Sequence, residues 1–189
     1  MKPTDDKKLV EACLRNDPSA QKRLYEYHSP KLLGLCMRYT ESREEAEDVL
    51  IEGFVKVFAH LGDFRFDCSL DSWMKKIMLN TAISHFRQHS KHYNQLSLDD
   101  LPEMELKQSQ EQPSDQLYEK ELLELVQQMP EILRVVFNLF VVEGYSHKEI
   151  GEMLEIQESS SRSCLTRARN WLKERLSSYA RQGNKGIIG

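Results

Sequence analysis

The sequence predicts an all-α protein of two small helical domains joined by a flexible linker. Nearly every apolar stretch of its 189 residues recurs at helical spacing, and the alternating Val/Ile runs of half-buried strands are absent. A polar, acidic segment punctuated by Pro102 and Pro113 interrupts that pattern. Hydrophobic residues at 40 % suffice for a small core on either side of it, and charged residues at 30 % fit a globular chain.

A first short helix is expected from about Asp5 to Asn16. The second opens where Asp17 caps and Pro18 takes the first turn. Its buried stripe reads Leu24, Tyr27, Leu32, Leu35, Cys36 and Tyr39, with Pro30 allowing a bend or break. Ser42 and Glu45 stand at capping-box spacing ahead of a third helix that reaches about Leu61, and the acids in its first turns suit the helix dipole. "GDFRFDCS" breaks the periodicity, after which "SLDSWMKKIMLNTAISHFRQHSK" forms a fourth helix with Trp73, Ile77, Thr81 or Ala82, and Phe86 near one face.

The first domain therefore spans 1–93, the linker 94–115, the second domain 116–181, and a tail without order 182–189. Breaks at Met129-Pro130 and Gly144 divide the helices of the second domain. Ser146 and Glu149 repeat the capping-box spacing, so a helix starts at His147 and carries Ile150 and Leu154 inward. After "EIQE", a last helix from about Ser159 turns Leu165, Ala168 and Leu172 to the core. Arg162, Ser163, Thr166, Arg167 and Arg169 fall on or beside its outer face, which makes a helix-turn-helix with a basic second helix.

Bulk charge does not advertise nucleic acid, because the net charge is −4 and the isoelectric point about 5.9. Any such binding is local to that helix. Arginine reads guanine bidentately in the major groove, and serine or threonine hydroxyls bond phosphates or adapt to several bases. No run approaches the length of a membrane span, and the start lacks the apolar core of a signal peptide, so a cytoplasmic protein without membrane insertion is expected. Cys13, Cys36, Cys68 and Cys164 are scattered without metal-ligand spacing and are read as reduced. His85, His89 and His92 share a helical face with no evident acidic or cysteine partner, so neither metal nor cofactor is expected. No nucleophile-base-orienter set or phosphate loop is present, and no enzymatic activity is expected.

Three stretches in order, "EEAEDVLIEGFVKVF", "FRFDCSLDSWMKKIMLNTAISHFR" and "YSHKEIGEMLEIQESSSRSCLTRAR", resemble regions two and four of bacterial RNA polymerase sigma factors. The absence of a domain between them resembles the extracytoplasmic-function (ECF) group. The resemblance covers roughly Leu9 to Leu176 and implies a region 2-like bundle followed by a region 4-like helix-turn-helix.

It implies as partners the core polymerase, through the largest-subunit clamp helices and the second-subunit flap, promoter DNA, and an anti-sigma factor of the kind that restrains many relatives. Asp48, Val49, Glu52, Phe54 and Val55 match the clamp-binding helix. Phe64, Arg65 and Phe66 match the loop that captures an unpaired −10 base, Asn80 a position near that pocket, and Lys75, Lys76 and Arg87 phosphate contacts; Trp73, Phe86 and most of Phe64 are read as core. Arg162, Ser163, Thr166 and Arg167 match the −35 readers, Ser159 and Ser160 hold phosphate at the helix start, and Lys173 is a phosphate contact farther along. The chain departs from the family at Glu155, where glycine is common, at Ser161, where valine is common, and at Cys164, where arginine or glutamine is frequent, so no −35 consensus is carried over. The competing reading is a stand-alone helix-turn-helix regulator with a ligand-binding or dimerising first domain.

Overall fold

A computed structural model describes residues 3–89 and 124–183, which are helical apart from short connections and contain no strand. The chain divides into two compact units, Met1–His89 and Ser90–Gly189. The expected linker and His92 lie outside the described residues, as do 184–189 of the expected tail; its first two residues are still helical.

In the first unit the helices are α1 (Pro3–Leu14), α2 (Pro18–Cys36), α3 (Arg43–His60) and α4 (Leu70–His89), with a 3-10 turn at Leu61–Asp63. Their starts follow local chemistry. Asp17 Oδ1 accepts from the Ser19 and Ala20 amides at 2.9 and 3.4 Å, and Ser42 Oγ accepts from the Glu45 amide at 3.1 Å. The return bond to Glu45 Oε2 comes from the Glu41 amide at 3.1 Å, one residue earlier than a standard capping box. α3 packs on both α2 and α4. A Cβ on Gly53 would lie 2.3 Å from Met78 Sδ, so α3 and α4 approach there at a distance that glycine alone allows without repacking.

Three expectations change here. Tyr27 is exposed, and the buried residue of that turn is His28, four after Leu24 and four before Leu32. A polar ring takes the core position because Asp71 Oδ1 accepts from its Nδ1 at 2.8 Å. Pro30 does not break α2, which runs through it. The buried face of α4 is carried by Leu70, Met74, Met78, Ala82 and Phe86, while Trp73 and Ile77 are only half-buried on its flank.

In the second unit a helical end at 124–127 leads to α5 (Glu131–Phe137), which continues as a π-helical turn (Asn138–Val142). α6 (His147–Leu154) and α7 (Glu158–Gly183) follow, and α5 and α6 both pack on α7. Ser146 and Glu149 form the complete capping box, with the Ser146 amide donating to Glu149 Oε2 at 2.8 Å. Those bonds hold the Glu149 carboxyl below its ordinary range. Ile150, Leu154, Leu165, Ala168, Trp171 and Leu172 share the core with the apolar side of α5.

The turn between α6 and α7 rests on two backbone features. Glu155 adopts the left-handed conformation at φ 58°, ψ 39°, the state that favours glycine, and its amide donates to the Gly151 carbonyl. Gly151 has no room for a side chain, since a Cβ would stand 2.9 Å from the Ile156 carbonyl oxygen. All four cysteines are free, with Cys68 exposed; burial pushes the thiol of Cys36 up to about 12 and that of Cys164 up to about 11.

Candidate nucleic-acid interface

The second unit presents the basic face of α7. Arg162, Ser163, Thr166, Arg169 and Lys173 are exposed, Arg167 is half-buried, and Ser159 and Ser160 lie in the first turn. Lys173 stands eleven residues beyond Arg162, about 16 Å along the axis. Arg162 is ion-paired with Glu158 one turn back. Thr166 Oγ1 donates to the Arg162 carbonyl at 3.1 Å, leaving its lone pairs outward. Two further arginines lie against rings, Arg169 at 5.9 Å from the Phe140 centroid and Arg175 at 5.0 Å from Trp171. Of the three positions expected to depart from the resemblance, Ser161 and Cys164 point inward and are buried, while Glu155 is exposed.

In the first unit, the loop before α4, the start of α1 and the middle of α2 border a groove lined by Asp6, Lys7, Tyr27, His28 and residues 64–71. Phe64 is buried, as expected of a core residue, and forms the middle of an aromatic row. Its ring lies 4.5 Å from that of exposed Phe66 and 5.2 Å from that of Trp73. Phe66 has φ 62°, a strained state for a bulky residue, which throws its ring onto the loop surface. Two of the lining residues each carry a buried polar atom without a hydrogen-bond partner, His28 Nε2 and Asp6 Oδ1.

The remaining expected −10 residues do not join this groove as one cluster. Lys76, Asn80 and Arg87 follow one stripe of α4, with Asn80 about 10 Å along the axis from Trp73. Lys75 lies on another side of α4, in a second groove with Lys31, Leu35, Arg38 and Asp71. His85 and His89 stack at 4.1 Å, and burial with the neighbouring ring lowers the His85 imidazole below its usual value. No group of His, Cys, Asp and Glu placed to hold a metal occurs among the described residues.

The expected polymerase-binding set separates by burial. Val49 and Phe54 are 0 % and 3 % exposed and belong to the core, so they serve packing and offer no surface. Asp48, Glu52 and Val55 face outward at i, i+4 and i+7. Ile51 was missed by the sequence reading. It is 57 % exposed beside Val55 at 63 %, so α3 shows two aliphatic side chains flanked by acids. The available signal was the excess of apolar residues on α3 over what one buried face can hold. Lys56 answers Glu52 at 2.7 Å and donates to Thr81 Oγ1 at 3.3 Å.

Comparison with known proteins decides what these two faces belong to. The family described as sigma-70 region 2 matches residues 24–92, and sigma-70 region 4 matches 119–172. The chain is 30 % identical over 187 residues to the RNA polymerase sigma-H factor of Pseudomonas aeruginosa, covering 94 % of this chain and 96 % of that protein. The chain belongs to the ECF group of RNA polymerase sigma factors. The sigma factor is also similar to the ECF sigma-E factors of Haemophilus influenzae (26 % identity, 90 % and 95 % covered) and Escherichia coli K12 (25 %, 94 % and 97 %). Among solved structures, the sigma factor RpoE in complex with the anti-sigma factor NepR from Bartonella quintana is 19 % identical, with 82 % of this chain and 96 % of that chain covered and a TM-score of 0.48. Family membership selects the sigma factor over the stand-alone regulator. None of the described helices is long and apolar enough to cross a membrane.

Proposed function

We propose that this sigma factor acts in the cytoplasm, without catalysis of its own, by carrying core polymerase to promoters and opening them. Domain 1–93 supplies the polymerase and −10 contacts, 116–181 the −35 contacts, and 94–115 the tether, whose residues at 3.3–3.6 Å each reach roughly 70 Å. The tether spans about two turns of DNA and raises the effective concentration of the second reader once the first is bound.

The acidic-aliphatic face of Asp48, Ile51, Glu52 and Val55 docks on the clamp helices of the largest subunit. Acids steer the encounter and the aliphatic pair supplies dry contact area. The second unit meets the flap of the second subunit, and the group resemblance adds an anti-sigma protein as a competing partner.

An unpaired −10 base leaves the stack at a cost of a few kcal/mol. Stacking beside Phe66 returns about 1–3 kcal/mol. Lys76, Asn80 and Arg87 track the strand along α4. On α7, Arg162 and Arg167 read bases while Ser159, Ser160, Ser163, Thr166 and Lys173 hold backbone and register.

The observation that carries this reading is the order of a region 2 match and a region 4 match on one chain, each folded as a separate unit with its own outward polar face. Reconstitution tests it. Purified chain added to core polymerase is expected to give specific transcripts from a bound set of promoters, and no promoter-dependent transcription on addition would refute it.

A further inference from the structure

α6 and α7 are joined near their N-terminal ends by a polar contact that the sequence motifs do not contain. His147, the first residue of α6, places Nδ1 2.9 Å from Ser161 Oγ. Ser161 is fully buried and immediately precedes Arg162 on α7. The other side of the contact is aromatic: the imidazole stacks on Phe140 at 4.5 Å and 21°. The guanidinium of Arg169 lies over that same Phe140 ring. One imidazole thus touches the start of α6, the π-helical turn and the inner face of the reading helix.

We infer that His147 is a positioning residue of the −35 reader, which fixes the rotation of α7 through Ser161 and takes up a proton when the phosphates of bound DNA come near. The inference rests on the −35 role proposed for α7.

The positioning half follows from geometry. A buried hydroxyl must keep a hydrogen-bond partner, and that partner here is directional, whereas an aliphatic side chain there would give only non-directional packing. A rotation of α7 by about 20° would move side-chain tips by about 2 Å at the 5–6 Å radius of a helix. Bidentate base recognition does not survive such a shift.

The proton half follows from charge. The groups facing the ring are Glu158, Arg162 and Arg169 from α7, and Lys148 and Glu149 adjoin it on α6. Partial burial and then Arg162 hold the imidazole below its usual value, Arg169 adds to this and Glu158 opposes it. In the free chain at neutral pH it is therefore uncharged. The phosphates of the bound duplex oppose the positive field of Arg162 and Arg169 at the ring and raise its proton affinity, so binding takes up a proton and tightens as pH falls through and below the ordinary histidine range.

The test uses full-length chain in holoenzyme, with promoter DNA randomised at the upstream element, between pH 5.5 and 8. Parent affinity is expected to rise toward acid by up to about tenfold per pH unit within that window. His147→Gln, which can bond Ser161 but cannot charge, is expected to flatten that slope; a parental slope in this variant overturns the proton coupling. Ser161→Val is expected to lose roughly fivefold or more of base discrimination at pH 7.5. Parental preferences in Ser161→Val overturn the positioning role. Ser161→Thr, which restores the hydroxyl, is expected to recover them, and a failure of that rescue counts against it as well. Arg167→Ala runs alongside: unchanged preferences there would refute the −35 face itself, an outcome distinct from failure of the latch.

Discussion

Gly151→Ala sets two effects of known sign against each other in the helix-turn-helix. Replacing a mid-helix glycine by alanine favours the helix by about 0.8–1.0 kcal/mol, so propensity alone predicts stabilisation. The new Cβ would stand 2.9 Å from the Ile156 carbonyl oxygen and must retreat about 0.5 Å to reach ordinary contact at 3.4 Å. That retreat is resisted, because the Ile156 amide donates to the Gly151 carbonyl at 3.0 Å and the Glu155 amide donates to the same oxygen. Overpacking against tied backbone costs about 1–3 kcal/mol. The difference spans about 0–2 kcal/mol, so the second unit is expected to lose about 1 kcal/mol net. Trp73 and Trp171 are the two tryptophans, one in each unit, so a Trp73→Phe background leaves Trp171 as the sole reporter of the second unit. With a urea slope of about 1 kcal/mol/M for a domain of this size, the midpoint is expected to fall by about 1 M. An equal or higher midpoint for Gly151→Ala would refute the claim that close approach governs this turn.

Four further outcomes are expected. Glu155→Gly relieves left-handed strain of about 1–2 kcal/mol but costs unfolded-state entropy, so the same urea assay should show a gain of about 0.5–1 kcal/mol; a lower midpoint contradicts it. Asp48→Lys and Val55→Asp should each weaken core polymerase binding in a titration while leaving the circular dichroism spectrum unchanged, whereas Val49→Asp should unfold the first unit, and unchanged affinity for the two surface variants removes that face. Asn80→Ala should reduce permanganate-reactive opening more than closed-complex formation, and equal opening at matched occupancy counts against a role near the unpaired strand. Arg162→Ala and Arg167→Ala should each cost about 1–3 kcal/mol of discrimination at one upstream position, while Lys173→Ala should weaken all sequences alike and lower the salt dependence; identical base preferences in parent and arginine variants would sink the reading face.

What the sequence made legible was what depends on neighbours along the chain. Asp17, Ser42 and Ser146 cap helices through residues two or three positions on, and each cap was readable without knowing the fold. Which of two adjacent residues faces inward was less legible. Tyr27 is the more apolar choice, yet His28 is inside, because Asp71 arrives from α4, forty-three positions later in the chain, to satisfy it. Trp73 and Met74 repeat the case, with the slender side chain taking the core and the indole joining an aromatic row along the loop. The α3 motif fixed the helix but not its orientation, so Val49 and Phe54 were grouped with Val55 although they point the other way. No local signal announced the left-handed backbone at Phe66 or the bond from His147 to Ser161, since both are decided by contacts that close only in the folded unit.

The ion pair between Arg162 and Glu158 has a bearing on how promoters are found among competing DNA. On the −35 role proposed for Arg162, an arginine that carries its own counter-ion would hold a neutralised head group while it diffuses past random sequence. Random phosphates gain little by displacing Glu158, because the exchange swaps one weak exposed ion pair for another. A guanine edge offers two aligned acceptors in place of one exposed carboxylate contact, and only there does the swap yield a clear gain. On that proposed role the carboxylate would work as a built-in competitor that shortens dwell time at wrong sites more than at right ones, and would let an acidic chain keep a cationic helix without adhering along the genome.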